Sequence, residues 1–243
     1  MTNCRYLLLA LLVAAGGTLA DDGWRPLVDD SNFLDWTVEG ASKAAFSIQD
    51  NVVIGHPVGF NPKNSFLCSP RQYKDFELAF SFRISDPIMN SGVQFRSIPH
   101  AEGVRGPQFE MDVAEMADKG WLRRILEPVY NFFTGRIAFD WSTAGIYGEG
   151  MDTGWIYPGV AGGDVAAFEA QGGRLTQQSG WNEVRLRAEG PRIQTWLAGE
   201  ARADFTYEPV DKPGRICLQV HGGNYRAPEK LFIEWRDLRI REL

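Results

Sequence analysis

Asn90-Ser91-Gly92-Val93-Gln94-Phe95-Arg96 and Gly106-Pro107-Gln108-Phe109-Glu110-Met111-Asp112-Val113-Ala114-Glu115 carry the reading of this chain. Both stretches alternate polar and apolar residues with period two, the pattern of a β-strand buried on one face. Residues i and i+2 of a strand project to the same side. The alternation therefore sets Val93, Phe95, Phe109, Met111 and Val113 on one face, and Gln94, Arg96, Gln108, Glu110 and Asp112 on the other. The first set is a core. The second is no ordinary solvated face of Lys, Thr and Ser. Its amides, guanidinium and carboxylates are groups that grip hydroxyls and move protons.

The same period runs through the rest of the chain. Phe76 to Ile84 sends Phe76, Leu78, Phe80, Phe82 and Ile84 to one side, and Asn182 to Ala188 sends Val184 and Leu186 inward. Phe46 to Ile54 reads as a strand pair turned at Asp50-Asn51. Ile193 to Leu197 folds back on 182–188 through Glu189-Gly190-Pro191-Arg192. Shorter strands are expected at Ser65–Ser69, Ile146-Tyr147, Ile216–His221 and Leu231–Leu238. About ten strands separated by turn signals, with little helical period, predict an all-β fold, an antiparallel β-sandwich. No repeat and no Pro/Ser linker divides residues 21–243, so one domain is expected. Met116 to Trp141 breaks the pattern, with a short helix expected after Asp118 and ended by Pro128. It reads as a lid over a cleft or as a loop covering a sheet edge.

Residues 1–20 read as a signal peptide: Arg5, an apolar run from Leu7 to Ala15, and Thr18-Leu19-Ala20 before the cleavage point. The run is too short to span a membrane. The expectation is a secreted or periplasmic protein, with no membrane association after cleavage. Arg5 is the only charge before Asp21, so cleavage takes the 25 Lys and Arg to 24, against 31 Asp and Glu. A mature net charge of −7 excludes nucleic acid as a partner, because phosphate binding needs a basic stripe. The basic clusters Arg123-Arg124, Arg185/Arg187 and Arg236/Arg239/Arg241 read as solvated faces. The mature cysteines, Cys68 and Cys217, lie in expected strands and read as buried thiols, with a disulfide the alternative that export permits.

Several constellations carry chemistry. Glu110, Asp112 and Glu115 form a Glu-x-Asp-x-x-Glu pattern like that of laminarinase-type endoglucanases, whose retaining mechanism needs two carboxyl groups about 5 Å apart. His221 follows Gln219 on the polar side of its strand. It has no second histidine at a metal-ligand spacing, and no cofactor is implied. A divalent metal held by His221 with carboxylates stays open. Tyr147-Gly148-Glu149-Gly150 and Gly154-Trp155-Ile156-Tyr157-Pro158 read as a loop with an aromatic tip that could stack on a sugar ring. A nucleophile elbow, a phosphate loop and a dinucleotide fingerprint are all absent from the sequence.

Taken in order, these pieces resemble the 3-keto-disaccharide hydrolase domain family. The resemblance rests on Trp24-Arg25-Pro26-Leu27, Leu34-Asp35-Trp36, Tyr73-Lys74-Asp75-Phe76-Glu77-Leu78, the two opening stretches, and Gly145-Ile146-Tyr147. It continues through Gly180-Trp181-Asn182-Glu183, Gly214-Arg215-Ile216-Cys217-Leu218-Gln219-Val220-His221 and Phe232-Ile233-Glu234-Trp235-Arg236-Asp237-Leu238-Arg239-Ile240. The 116–141 insertion departs from it. The resemblance implies a concanavalin A-like jelly roll acting on sugars oxidised at C3. A ketone there acidifies the C2 proton, so that a base can remove it and the C1 substituent can leave. Glu110 or Asp112 is then expected as base, Arg96 as enolate or hydroxyl clamp, and His221 as acid or base. Asn90, Gln94, Gln108, Tyr147 and Gln219 are expected to position the ring. The alternatives are a non-catalytic, lectin-like carbohydrate-binding module and a laminarinase-type enzyme working through Glu110 and Glu115.

Overall fold

The Phe76–Ile84 alternation becomes β6, a central strand of the first of two antiparallel sheets. The computed structural model describes residues 22–41, 44–59, 63–113, 140–223, 225 and 227–243. The strands are β1 (Arg25–Pro26), β2 (Thr37–Glu39), β3 (Ala45–Gln49), β4 (Val52–His56) and β5 (Ser65–Tyr73), then β6, β7 (Ser91–His100) and β8 (Gly103–Met111). They continue as β9 (Ile146–Glu149), β10 (Gly154–Tyr157), β11 (Asn182–Glu189), β12 (Arg192–Leu197), β13 (Glu200–Thr206), β14 (Gly214–Val220) and β15 (Ile233–Glu242). Sheet I runs β13-β12-β11-β6-β15-β4-β3, with β1 also on β15, and sheet II runs β10-β9-β8-β7-β14-β5-β2. The Met116–Phe139 part of the expected insertion, with its helix after Asp118, and Glu115 lie outside the described residues.

One apolar core fills the space between the sheets and draws on both ends of the chain, from Leu27 to Ile240. Sheet I contributes the inward residues of β6 with Leu186, Trp235 and Ile240. Sheet II contributes Val93, Phe95, Phe109, Met111, Ile146 and Leu218. Phe80 of β6 meets Phe109 of β8 edge to face, with centroids 5.7 Å apart. The turns follow their residues: Asp50 and Asn51 both take positive φ, as a two-residue hairpin turn requires, and Gly190 does so between β11 and β12. The helix α1 (Val165–Leu175) is not expected from the residues, because Gly172-Gly173 masks its period. Asp164 caps it by accepting the Ala167 N–H.

One expectation is refined and two are corrected. The clusters Arg185/Arg187 and Arg236/Arg239/Arg241 meet on the outer face of sheet I, where Arg185, Arg187 and Arg241 converge on the fully buried carboxylate of Glu77 at 2.7, 2.7 and 2.6 Å. Burial pushes that carboxyl up, and the three guanidiniums more than offset it, leaving it below the usual range. Second, Cys68 and Cys217 are direct cross-strand partners of β5 and β14 and form a disulfide, not two thiols. Third, Arg96 leaves the polar face.

That third departure shapes the whole molecule. The β7–β8 register runs from Ser91↔Met111 to Gln94↔Gln108, then shifts to Ile98↔Arg105, so β7 carries an extra residue there. Arg96 sits in this bulge with φ 49°. A bulge bends its strand and raises the local twist. Arg96 Nε donates to Lys74 O at 2.6 Å, Nη1 to Gly190 O at 2.7 Å and Val210 O at 3.2 Å, and Nη2 to Asp75 Oδ1 at 3.1 Å. One buried guanidinium thus ties three loops together. Beyond the bulge, the hairpin tip folds back over sheet II. Val104 packs with Phe66, Cys68 and Cys217 on the side away from the core. A Cβ on Gly103 would lie 2.8 Å from the Phe66 ring, so only glycine permits that approach.

Arg96→Ala leaves buried carbonyls without donors and should lower stability by about 3 kcal/mol, read by urea denaturation. Unchanged stability with lost activity would return Arg96 to the site. The disulfide closes a loop of 149 residues. The Cys68→Ala, Cys217→Ala double variant should lose about 2–5 kcal/mol on the same measurement.

Candidate functional site

Beneath that folded tip, the polar face of sheet II forms a closed hydrogen-bonded layer. Cross-strand register places Cys217, Gln94, Gln108, Tyr147 and Trp155 in one row over β14, β7, β8, β9 and β10. Glu110 stands one row further along, opposite Gly92. A Cβ at Gly92 would lie 2.5 Å from the Gln108 side chain, so this glycine makes room for Gln108 to lie across β7.

The amides form a directed chain. Ser97 Oγ donates to Gln94 Oε1 at 2.7 Å, and Gln94 Nε2 donates to Gln108 Oε1 at 2.6 Å. Gln108 Nε2 donates to Glu110 Oε1 at 2.6 Å and to Gln219 Oε1 at 3.3 Å. Asn90 Nδ2 reaches Glu110 Oε2 at 3.3 Å. A carbonyl oxygen only accepts and an amide nitrogen only donates, so each link fixes the orientation of the next. Gln219 is fully buried, and its Nε2 has no partner among the described residues. A buried amide donor left unmet is costly unless a ligand or water oxygen meets it.

Glu110 is 5% exposed, and no cation approaches it among the described residues. Its carboxyl is pushed up to about 8: burial is the largest cause, the N–H groups of Gln108 and Asn90 oppose it, and the charges of Glu149 and Asp112 add to it. Such a group changes protonation near neutral pH, as proton-transfer carboxyls do.

The other expected residues fall around this layer. Asp112 is buried beyond the end of β8. Its N–H donates to Thr143 Oγ1 at 3.1 Å, and its Oδ2 accepts from Ser142 Oγ at 3.5 Å. His221 follows β14, its Nδ1 donating to Gly222 O at 2.6 Å. Tyr147 meets Trp155 edge to face at 5.4 Å. The expected aromatic loop is in fact the β9–β10 hairpin, and Tyr157 stacks on Phe205 at 5.0 Å, away from the polar row. Asn90, Gln94, Gln108, Glu110 and Gln219 therefore come together, Asp112, His221 and Tyr147 flank them, and Arg96 does not join.

Two residues beside this layer were missed. Asn64 Oδ1 accepts the Gly222 N–H at 2.8 Å, and its Nδ2 donates to Glu149 Oε1 at 2.9 Å. Glu149 is two residues from Tyr147, so alternation would have put both on one face, but its flanking glycines read as a loop. Burial pushes the Glu149 carboxyl up, against the Asn64 bond. Among the described residues, no three His, Cys, Asp or Glu side chains gather to hold a metal ion.

The sequence matches the 3-keto-alpha-glucoside-1,2-lyase-like domain over residues 23–241. The chain belongs to that family. No curated protein matches the sequence of this lyase-like domain. Solved structures share its fold at low identity. A presumptive glycosyl hydrolase from Parabacteroides distasonis is 14% identical, with a TM-score of 0.59 over 91% of this chain and 94% of the other. A Bacillus subtilis protein of unknown function with a galectin-like fold is 12% identical, with a TM-score of 0.53 over 90% and 94%. The exoplasmic/lumenal domain of VIP36, solved with Ca2+ and Man3GlcNAc, is 9% identical, with a TM-score of 0.51 over 91% and 88%. The lyase-like domain thus has the galectin-like, concanavalin A-like jelly-roll fold.

Burial of Glu110 makes stability depend on pH. Its folded value lies above the ordinary 4.5, so the folded state holds a proton that the unfolded chain has released. The stabilising effect is complete below about pH 4.5 and is lost as pH rises through about 8, at roughly 1.4 kcal/mol per unit. Glu110→Gln removes that dependence. Its stability relative to the parent should be higher at pH 8.5 than at pH 5 by a few kcal/mol, on the order of the shift itself. An equal difference at both pH values contradicts the assignment.

Proposed function

We propose that this lyase-like domain cleaves 3-keto-glycosides by elimination followed by hydration. The observation that carries the reading is Glu110, a sealed carboxyl titrating near neutrality and held by a directed amide chain on the sandwich face. Family membership supports a carbohydrate substrate, and the oxidised glycoside gives the carboxyl a proton it can work on.

The chemistry needs few groups. A ketone at C3 acidifies C2–H. Removal of that proton leaves an enolate, and its collapse expels the C1 substituent to form a C1=C2 double bond. Water then adds across that bond, its oxygen to C1 and its hydrogen to C2, so the net change is hydrolysis. Glu110 serves as a proton-transfer carboxyl, and the unmet Gln219 Nε2 serves as a donor to the enolate oxygen. Tyr147 and Trp155 supply the aromatic edge of the ring site. The leader-like first twenty residues and the disulfide together support an exported protein.

Purified protein offered 3-keto-α-glucosides and their unoxidised parents should release aglycone only from the keto forms. Glu110→Gln should lose at least about 100-fold in kcat while keeping its far-ultraviolet spectrum. Turnover of unoxidised β-glucan would favour the laminarinase reading, and ring binding without turnover of either would favour a lectin-like module.

A further inference from the structure

The bulge at Arg96 does more than cover sheet II, for it carries a second carboxyl over the polar layer. β9 pairs with β8 up to Gly106↔Glu149, and Gly106 lies where the hairpin begins to fold over. Tyr147 and Glu149 share the face on which Gln108 and Glu110 lie. Gly150 backs on the folded tip, where a Cβ would stand 3.0 Å from Val104 O. Glu149 is thereby brought to Asn64, a residue just before β5, although β8, β7 and β14 lie between β9 and β5 in the sheet. The same Asn64 holds the Gly222 N–H beside His221. Glu110 and Glu149 thus lie on one face of sheet II, near enough for the Glu149 charge to act on Glu110.

Their surroundings differ. Glu110 is sealed and, among the described residues, receives only the amide N–H groups of Gln108 and Asn90. Glu149 is half-buried, in reach of water and of the Asn64 donor. Among the described residues, the charges acting on this pair are Asp112 and Glu149 on Glu110 and Glu102 on Glu149, and the Tyr147 hydroxyl shares their face. Glu102 is itself paired with Lys63 at 3.0 Å. Neither Glu110 nor Glu149 has a cationic partner among the described residues.

Resting on the elimination reading above, we propose that Glu149 is the base of this site and Glu110 its acid, the reverse of the roles the sequence suggests for Glu110. When environments push two carboxyls apart, the more sealed one keeps its proton. The carboxylate of Glu149 takes the C2 proton, and the C–H electron pair becomes the enolate. As the enolate collapses, the C1–O bond breaks and the departing oxygen takes the Glu110 proton. In the return half, Glu110 accepts a proton from the water adding to C1, and Glu149 gives its proton back to C2. Only water is consumed, and each carboxyl ends as it began.

Proton exchange at C2 separates the two roles. Wild type, Glu149→Gln and Glu110→Gln are incubated in D2O with a 3-keto-α-glucoside. Loss of the C2–H signal is followed by proton NMR and release of aglycone by chromatography. Glu149→Gln should lose both exchange and release by at least about 100-fold, whereas Glu110→Gln should lose release and keep exchange. Wild-type kcat/KM should fall, not rise, through about pH 8. Exchange lost in Glu110→Gln but kept in Glu149→Gln, or a rate rising through that pH, overturns the assignment. Carboxyl carbon-13 titration of wild type, which needs no turnover, should show Glu149 ionising before Glu110, and the opposite order also overturns it. A wild type inert towards every keto-glycoside refutes the elimination reading instead, and the titration order still stands as its own test.

Discussion

The extra residue that β7 carries around Arg96 is the constraint on which the rest depends. A regular β7–β8 hairpin would stand out from sheet II as a flat extension and leave the row Cys217, Gln94, Gln108 open to water. The bulge turns the tip back, and Arg96, spent on three loop carbonyls and Asp75, locks the bend. Burial of the amides, the raised Glu110 and the arrival of Glu149 beside Asn64 all follow from that bend. So does the small apolar cluster of Phe66, Val104 and the disulfide, which seats the tip on its floor.

The same geometry explains the electrostatics. Alternation alone would set a guanidinium two residues from Gln94, within reach of Glu110, where it would hold the carboxylate ionised. The bulge removes that cation and substitutes neutral amides. Sheet I shows the contrast: Glu77, equally buried, is surrounded by three arginines and pulled below the usual range. Two buried glutamates of one sandwich are thus driven in opposite directions by the presence or absence of guanidinium groups, and only the one without them is fit for moving a proton near neutral pH.

Much of the fold was legible because period two is a strong signal where one strand face is a core. Phe76–Ile84 matches β6 at both ends, and the Asp50-Asn51 and Gly190 turns lie where their residues require. The strands missed, β1, β2, β10 and β13, are a two-residue strand and three edge strands, where little alternation is needed. In the site, Gln94, Gln108, Glu110 and Gln219 were legible from the same alternation. Arg96 was not, since a bulge shifts the period by one residue and leaves no mark in local composition. Asn64 and Glu149 were missed because their contact is made by the folded tip, a tertiary event. The disulfide was illegible because the pairing of β5 with β14 joins strands 149 residues apart.

That last pairing sets the order in which the molecule can be completed. β14 is inserted between β7 and β5, although both precede it by more than a hundred residues. A chain emerging from its N-terminus therefore holds two strands with bare backbone edges until residue 214 is free. Half of the polar layer lacks Gln219 for the same interval. Interrupted or clipped chains ending before β14 present those paired edges to one another, and aggregation is the outcome such edges invite. The polar layer of sheet II is thus among the last features to form, and its presence certifies that the chain has been delivered at least through Val220.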